Sequence, residues 1–456
     1  MLEWINGYLL GWGVPFMLCF AGILYGIRLR FFHILRPRRI VSVLLGGRGE
    51  GARSSLRSLC LALAGTLGVG NLVGVASAIC LGGAGAVFWM WISALCAMLL
   101  KYGEILLAMT HRRWDGTRWH GSAMHYIRDH VRGKGHPLLA KLLGWVFAFL
   151  CVVNALTMGS MIQVHAIGEA MDGVMGISPW AVGGILALVT FLLLRGGTER
   201  ILSASAKLVP LMTAGYLLLS VAALVARRDA IPSVFREIFQ DAFTPNAAVG
   251  GVGGFLLGKG VRYGCMRGLL SNEAGCGTSP MAHATTEGGE PAAQGIWGIF
   301  EVFADTILLC TVTALVILSS GVPRVGEDYM MVTIRAYASI LGDGASYFLA
   351  LSVLLFGFAT VICWGHYGTE CVSDLSPSQG FGRLFRFLYP LSVFLGAWWS
   401  ARGIWEIADL ALGLMTLIHL PILLSMSGEV KRVTDGFLNR KRTLKKGAER
   451  GIMKKK

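Results

Sequence analysis

Between Arg57 and Lys101 the chain contains no Asp, Glu, Lys or Arg residue. An uncharged stretch of this length does not suit the surface of a soluble domain, in which about a quarter of residues are charged. Over the whole sequence 54% of residues are hydrophobic and 15% are charged. This composition excludes a disordered chain and argues against a soluble enzyme, so we expect lipid to be the solvent for much of the chain.

Eleven apolar runs approach or exceed the roughly 20 residues that a helix needs to cross a membrane. They are residues 8–27, 58–80, 86–109, 142–168, 178–194, 208–226, 249–286, 295–318, 345–367, 387–401 and 407–426. The run 387–401 is short and can extend into the apolar residues that precede it. The pattern predicts an all-α membrane protein with eleven transmembrane helices.

Basic residues are concentrated in alternate connections between these runs. They follow the first, third and fifth runs and fill the tail, and the count for the third connection includes Lys101. The connection 319–344 contains only two basic residues, Arg324 and Arg335. Because cytoplasmic loops are rich in Lys and Arg, we expect the N-terminus outside and the C-terminus in the cytoplasm. The net charge of +15 then belongs to loops and tail, where it can contact anionic lipid headgroups, and nucleic acid is not an expected partner.

No motif of a soluble or secreted protein stands out. The ten cysteines form no CxxC pair, so neither a disulfide framework nor a zinc site is expected. The N-terminal MLEWINGYLL lacks a basic region and a small-residue cleavage site, which predicts no cleaved signal peptide. GxSxG, HExxH and GxxxxGK[ST] are all absent from the sequence.

Two apolar runs are interrupted where a plain transmembrane helix would be continuous. Residues 65–74, GTLGVGNLVG, weaken the middle of the second run, and residues 264–284, GCMRGLLSNEAGCGTSPMAHA, interrupt the seventh. A broken helix exposes backbone N–H and C=O groups that a bound carboxylate or cation can satisfy. Gly70 and Gly74 also have GxxxG spacing, so close helix packing is the alternative for the first stretch. The two interrupted runs, the second and the seventh, are five positions apart in the order of runs, as in two five-helix inverted repeats that each open with a broken helix.

Several further polar residues lie inside the runs, most of them outside the two interrupted stretches. They are Gln163, Glu301, Asp305, Thr306, Thr360 and Trp364, together with the histidines His165, His283 and His366. Glu301 and Asp305, like Thr360 and Trp364, are four residues apart and share a helix face. Carboxylates within a membrane are functional by default, although pairing with a neighbouring Arg is the structural alternative. The histidines can carry protons or serve as hydrogen-bonded structural groups.

Four regions of the sequence resemble the alanine or glycine:cation symporter family. They are GGAGAVFWMWI at 82–92, RGLLSNEAG at 267–275 with AHA at 282–284, DTI at 305–307, and CWGHYG at 363–368. The resemblance runs in order over residues 8–430. It implies sodium-driven uptake of alanine or glycine, in some members of either hand. It also implies the leucine-transporter fold preceded by one extra helix, so that 1–56 hold that helix and a basic loop, 57–226 and 227–426 the two five-helix repeats, and 427–456 a basic cytoplasmic tail.

The resemblance also implies site residues. Thr66, Gly68, Gly70 and Asn71 correspond to the substrate and sodium segment, Gln163 to the family's glutamine in the fourth span, and Thr360 and Trp364 to residues of the ninth span that face the substrate. The second broken helix contributes from within 264–277. Leu270 stands where Phe is common, which enlarges the expected pocket. Ala359 replaces a usual serine, and His165 and His366 replace uncharged residues, so these positions leave proton coupling open.

We therefore expect a symporter in the cytoplasmic membrane of a bacterium that imports alanine or glycine with Na⁺ and needs no cofactor besides this coupling ion. Asn71, Asp305, Thr306 and Thr360 are the expected cation ligands, because hard cations prefer oxygen. A proton-coupled transporter of the same fold is the first alternative. A membrane enzyme lacks a recognisable catalytic constellation, and a channel lacks a ring of like charges or a filter repeat.

Overall fold

The computed structural model of the protein describes residues 12–46, 50–243, 258–324, 328–376, 378–399 and 401–439. The first residues of the predicted runs 8–27 and 249–286 lie outside the described residues, as does the predicted basic tail beyond residue 439.

Nearly all of the described chain is helical. The α-helices are α1 (Val14–Arg28), α2 (Phe32–Leu35), α3 (Pro37–Gly46), α4 (Glu50–Thr66), α5 (Val75–Gly82), α6 (Ala86–Thr110), α7 (Ala123–Gly133), α8 (Pro137–Leu156), α9 (Ile162–Met175), α10 (Pro179–Arg195), α11 (Gly197–Ala226), α12 (Ile231–Ala242), α13 (Lys259–Asn272), α14 (Pro280–His283), α15 (Pro291–Val302), α16 (Thr311–Ser319), α17 (Tyr329–Leu341), α18 (Gly344–Leu375), α19 (Gln379–Gly396) and α20 (Ala401–Ser425). Residues 427–439 are also helical.

Shorter elements complete the list. The π-helical segments are Gly70–Gly74, Thr157–Met161 and Phe303–Cys310, and a 3₁₀ turn covers Arg228–Ala230. The last two π segments join α8 to α9 and α15 to α16 into long helices. Strands β1 (Arg113–Trp114) and β2 (Trp119–His120) pair antiparallel, with Arg113 opposite His120.

Six helices of the described chain are long and apolar enough to cross a membrane. They are Ala86–Thr110, Pro137–Met175, Gly197–Ala226, Pro291–Ser319, Gly344–Leu375 and Gly403–Ser425. The bent pair Gly51–Thr66 and Gly70–Gly82 makes a seventh span if it is counted as one. The other predicted runs coincide with the shorter helices α1, α10, α13 and α19. The all-α, multi-pass prediction is thus confirmed, while the count of eleven spans and the inverted repeat stay predictions.

Helix α6 lies at the centre of the molecule. The apolar part of α6 is 83% buried, whereas the apolar part of α11 is only 28% buried. Small residues bring its neighbours close: a Cβ at Gly298 of α15 would lie 2.3 Å from Ile105 Cδ1, and one at Gly268 of α13 would lie 2.4 Å from Ser93 Oγ. Close approach through small residues strengthens helix packing in a membrane, where lipid is as apolar as the side chains. Because of this close packing, side chains of α6 contact residues of α13 and α15.

Four connections that were predicted to be loops contain helices too short to cross a membrane. The first connection holds α2 and α3, and the other three hold α7, α12 and α17. Helix α17 packs on the broken second span, where Thr333 Oγ1 donates to the carbonyl oxygen of Leu72 at 3.3 Å. One prediction about charge is wrong: Lys101 belongs to no connection, because it is fully buried inside α6.

Candidate functional site

The second span is broken at residues 67–69, which we call the first break. The helices on either side of it are bent by 54°, which confirms the predicted interruption. The chain passes so close to α9 and α18 here that a Cβ at Gly68 would lie 2.7 Å from Thr360 Oγ1 and 2.9 Å from Gln163 Oε1. The backbone N–H of Val69, freed from the helix, donates to Gln163 Oε1 at 3.2 Å. The structure therefore brings Gly68, Gln163 and Thr360 together.

Both side chains at the first break are held in place by backbone groups. Gln163 Nε2 donates to the carbonyl oxygen of Met158 at 3.1 Å, across the π segment that precedes α9. Thr360 Oγ1 lies 3.0 Å from the carbonyl oxygen of Ala64. Space remains beside the break, since a Cβ at Gly70 would meet no heavy atom within 4 Å. Polar groups fixed next to free space can bind a small polar ligand.

Trp364 lies one helical turn beyond Thr360 and is fully buried. Its side chain packs on Gly159, where a Cβ would come within 2.3 Å of Trp364 Cγ, and its ring meets that of Tyr367 edge-on at 5.6 Å. The indole N–H has no hydrogen-bond partner within the described part of the chain. Because Gly159 precedes Gln163 by four residues, the indole lies about one turn from the first break.

A second group of polar side chains surrounds Asp305, and we call Asn71, Ser271, Asp305 and Thr306 the Asp305 cluster. Asn71 Nδ2 donates to Asp305 Oδ1 at 2.8 Å. Ser271 Oγ and Thr306 Oγ1 donate to Asp305 Oδ2 at 2.8 and 2.7 Å. Asp305 is inaccessible to solvent, so this carboxylate depends on these donors or on a cation for its stabilisation.

Three of the four predicted cation ligands meet in this cluster, namely Asn71, Asp305 and Thr306. Thr360, the fourth, lies at the first break instead. Ser271 was not predicted, and neither was Asn272, which donates to Thr306 Oγ1 at 3.2 Å and to the carbonyl oxygen of Gly268 at 2.7 Å. Their signal in the sequence was a pair of polar residues directly before the interruption of the seventh run.

The seventh run is interrupted at residues 273–279, which we call the second break. Helix α13 ends at Asn272, and Glu273, Gly275 and Gly277 have φ values of 51°, 80° and 78°. This left-handed backbone cannot continue a helix, and glycine adopts it most easily. The interruption was predicted within residues 264–284, and the structure places it at 273–279.

Four charged or titratable side chains surround the second break, and two of them, Lys101 and Glu104, were not predicted to lie at a site. Glu104 of α6 accepts backbone hydrogen bonds from it, and Lys101 Nζ lies 3.4 Å from Glu301 Oε1. His283 Nε2 lies 3.1 Å from Glu301 Oε2. The partner expected for Glu301 was an Arg, and the structure has a Lys and a His instead. Two charged residues three positions apart in an apolar run were the signal that could have identified Lys101 and Glu104.

Two predicted site residues lie apart from these groups. The hydroxyl of Thr66 donates along its own helix to the carbonyl oxygen of Ala62 at 3.4 Å. Leu270 lines an apolar crevice with residues of α1 and α20, among them Leu18 and Thr416. The structure thus does not bring Leu270 or the Thr66 hydroxyl to Gln163 and Thr360.

The other two predicted histidines, His165 and His366, contact carboxylates of their own helices. His165 Nε2 lies 3.2 Å from Glu169 Oε1, and His366 Nδ1 lies 3.9 Å from Glu370 Oε1. Neither belongs to the Asp305 cluster, whose hydrogen bonds come from amide and hydroxyl groups.

Substitution of Gly68 by Ala is expected to abolish transport, with at least about a tenfold loss of uptake. The added Cβ would overlap Thr360 Oγ1 and Gln163 Oε1, and relieving that contact moves both polar groups. The measurement is substrate uptake per mole of transporter recovered from the membrane. Gly74→Ala is the matched control, because a Cβ there meets no heavy atom within 4 Å. Equal uptake by the two variants would contradict a close fit at the first break.

Comparisons with known proteins identify relatives along the whole chain. The family model described as the sodium:alanine symporter family matches residues 1–451. An uncharacterised transporter of Haemophilus influenzae is 35% identical over 439 residues, which is 94% of this chain and 94% of that protein. A protein of Methanococcus maripaludis named sodium/alanine symporter AgcS is 32% identical over 449 residues, or 96% of each chain.

Among solved structures, a mutant of the manganese transporter of Eremococcus coleocola matches with a TM-score of 0.51. The match covers 84% of this chain and 78% of that chain at 15% identity. Similarity at this level shows a shared fold and carries no information about the substrate.

Proposed function

The chain belongs to the sodium:alanine symporter family, whose members are transporters and not enzymes, and we propose that it imports alanine or glycine together with Na⁺. Transport would follow alternating access around a site between the two breaks. The membrane would be the cytoplasmic membrane of a bacterium, with the N-terminus outside and the C-terminus in the cytoplasm. The proposed architecture is eleven helices, with one helix before two five-helix inverted repeats at 57–226 and 227–426.

The observation that carries the proposal is the pairing of two chemically different centres on one short stretch of chain. Gly68 lies at the first break beside Gln163 and Thr360, and Asn71, three residues later, reaches Asp305. The first centre is an interrupted helix, and backbone N–H groups at such a break suit a carboxylate, although the N–H of Val69 donates to Gln163 in this structure. The second offers a buried carboxylate among amide and hydroxyl oxygens, which suits Na⁺. A single movement of residues 68–71 would affect both centres.

In this proposal the substrate carboxylate binds the N–H groups around Gly68 and Gly70, and carbonyl groups at the end of α13 bind the ammonium. Na⁺ binds Asn71, Asp305 and Thr306, whereas the hydroxyl of Thr360, predicted as a fourth ligand, faces the substrate at the first break. Because Na⁺ and the substrate carboxylate attract each other in a site shielded from water, each raises the affinity for the other. That coupling lets the sodium gradient drive accumulation of the amino acid.

The side chain of the substrate would point towards Trp364, whose indole leaves room for about a methyl group. Gln163 would hold the first break open, and the space beside Gly70 explains how a substrate of either hand could fit. Thr66 would act at the edge of the site through its backbone. Leu270 would act there as part of the apolar wall.

Uptake by the purified protein in liposomes tests the proposal. An inward sodium gradient should drive accumulation of labelled alanine or glycine, and an equal potassium gradient should not. Accumulation driven by a pH gradient without sodium would favour the proton-coupled alternative, for which the contact between His283 and Glu301 is the supporting observation. No sodium-dependent uptake of any small neutral amino acid would overturn the proposal.

A further inference from the structure

The backbone N–H groups of the second break are already occupied by a side chain. Both oxygens of Glu104 are used: Oε1 accepts from the N–H of Gly275 at 2.5 Å, and Oε2 accepts from that of Gly277 at 2.8 Å. Glu104 comes from the central helix α6 and is fully buried. A carboxylate can satisfy two N–H donors at once because it has two acceptor oxygens and no hydrogen of its own.

Helix α6 holds the second break at a further point. Lys101, one turn before Glu104, donates from Nζ to Ser279 Oγ at 2.7 Å. Ser279 Oγ in turn donates to Glu301 Oε1 at 2.8 Å. These side chains are all inaccessible to solvent, so water cannot replace the bonds if one partner is lost. Residues 275–279 are therefore tied to α6 at both ends.

The residues before the break are tied to a different set of side chains. Ser271 donates to Asp305, and Asn272 donates to Thr306, in the Asp305 cluster. Between the two attachments lies Glu273, which has a φ of 51° although it is not a glycine. Such a conformation is unfavourable for a residue with a side chain and persists only where the surroundings enforce it. The second break thus connects the Asp305 cluster to α6 through a backbone that must be held at both ends.

We propose that Glu104 is a positioning residue for cation binding. Its carboxylate fixes residues 275–277 on α6, and this keeps Ser271 and Asn272 at the distances that the Asp305 cluster requires. The part of the proposal that concerns sodium rests on the proposed function, whereas the attachment of the break to α6 does not. Glu104 itself does not touch the cation.

Substitution of Glu104 by Gln separates positioning from mere bulk. The amide has nearly the same volume but one acceptor, and its NH₂ group would face one of the two N–H donors. Hydrogen–deuterium exchange should then become about tenfold faster at the amides of 275–277. Glu104→Asp, which keeps two acceptor oxygens on a shorter stem, should exchange at an intermediate rate. Glu169→Gln is the matched control, since it makes the same chemical change on the half-exposed side of α9.

The second measurement is the sodium dependence of alanine uptake. Glu104→Gln should raise the sodium concentration for half-maximal uptake about tenfold. Glu104→Asp should raise that concentration by a smaller factor. The half-maximal alanine concentration at saturating sodium should change little. A residue with only a structural role would lower the maximal rate, through loss of folded protein, and would leave the half-maximal sodium concentration unchanged.

Each outcome decides a separate part of the proposal. Unchanged exchange at 275–277 in Glu104→Gln would overturn the attachment, whatever the substrate is. Faster exchange with an unchanged sodium titration would overturn the positioning role. A wild-type protein that ignores sodium would overturn the proposed function and the sodium part of this inference, while the exchange measurement would still decide whether Glu104 holds the break.

Discussion

Replacing Asp305 with Asn is expected to raise the sodium concentration for half-maximal uptake by about tenfold to a hundredfold. The substitution removes the carboxylate of the Asp305 cluster and places an NH₂ group against donors from Asn71, Ser271 or Thr306. Hydrogen bonds to a charged group are each worth about 1.5–3 kcal/mol, and about 1.4 kcal/mol is a factor of ten in affinity. The measurement is a sodium titration of labelled alanine uptake in liposomes, normalised to transporter content.

A swapped pair of residues supplies the control. Asn71→Asp combined with Asp305→Asn keeps one carboxylate and one amide across the 2.8 Å contact, so it should recover part of the sodium affinity that Asp305→Asn loses. An Asp305→Asn protein with the sodium titration of the wild type would make this carboxylate a structural group and would remove the main support for the cation site.

Replacing Trp364 with Leu is expected to let valine and leucine compete with alanine for uptake. The indole is fully buried, packs on Gly159 and lies about one turn from the first break, so a smaller side chain leaves a cavity next to the proposed substrate methyl group. One methylene in an apolar pocket is worth about 1–3 kcal/mol, so the gain for valine should be about tenfold or more. Alanine should bind less tightly, because its methyl group loses contacts.

The measurement is competition by unlabelled amino acids against labelled alanine. Trp145→Leu is the matched control, since that indole is 46% exposed on the outer surface of α8 and should leave selectivity unchanged. Thermal unfolding of the Trp364→Leu protein should also occur at a lower temperature, because a large-to-small change in a packed interior costs a few kcal/mol. If valine and leucine still fail to compete while alanine uptake persists, the size limit lies elsewhere in the site.

Sequence alone determined the properties that depend on local composition. The length of an apolar run decides whether a helix can cross a membrane, so each predicted run overlaps helical residues in the described chain. Glycines and an asparagine in the middle of a run weaken the helix at that point, which is why the first break was predicted within residues 65–74. Specific motifs such as SNEAG at 271–275 were enough to indicate the family.

Only the tertiary structure decided which polar side chains meet. Glu301 and Asp305 are four residues apart, yet Glu301 contacts Lys101 beside the second break, whereas Asp305 joins Asn71 and Ser271 at its other end. Position in a motif does not fix the direction of a side chain, because successive helical residues point about 100° apart and a π segment shifts that register. Thr66 and Leu270 illustrate this, since both lie in motif regions and point away from Gln163 and Thr360.

Lys101 and Glu104 show the limit of reading charge from a sequence. A charged residue near the end of an apolar run is most simply a loop residue, because an unpaired charge in a membrane is costly. Lys101 remains inside α6 since Ser279 and Glu301 accept its hydrogens, and Glu104 does so since two N–H groups of the second break donate to it. These partners are more than 170 residues away along the chain and become neighbours only when α6, α13 and α15 pack together.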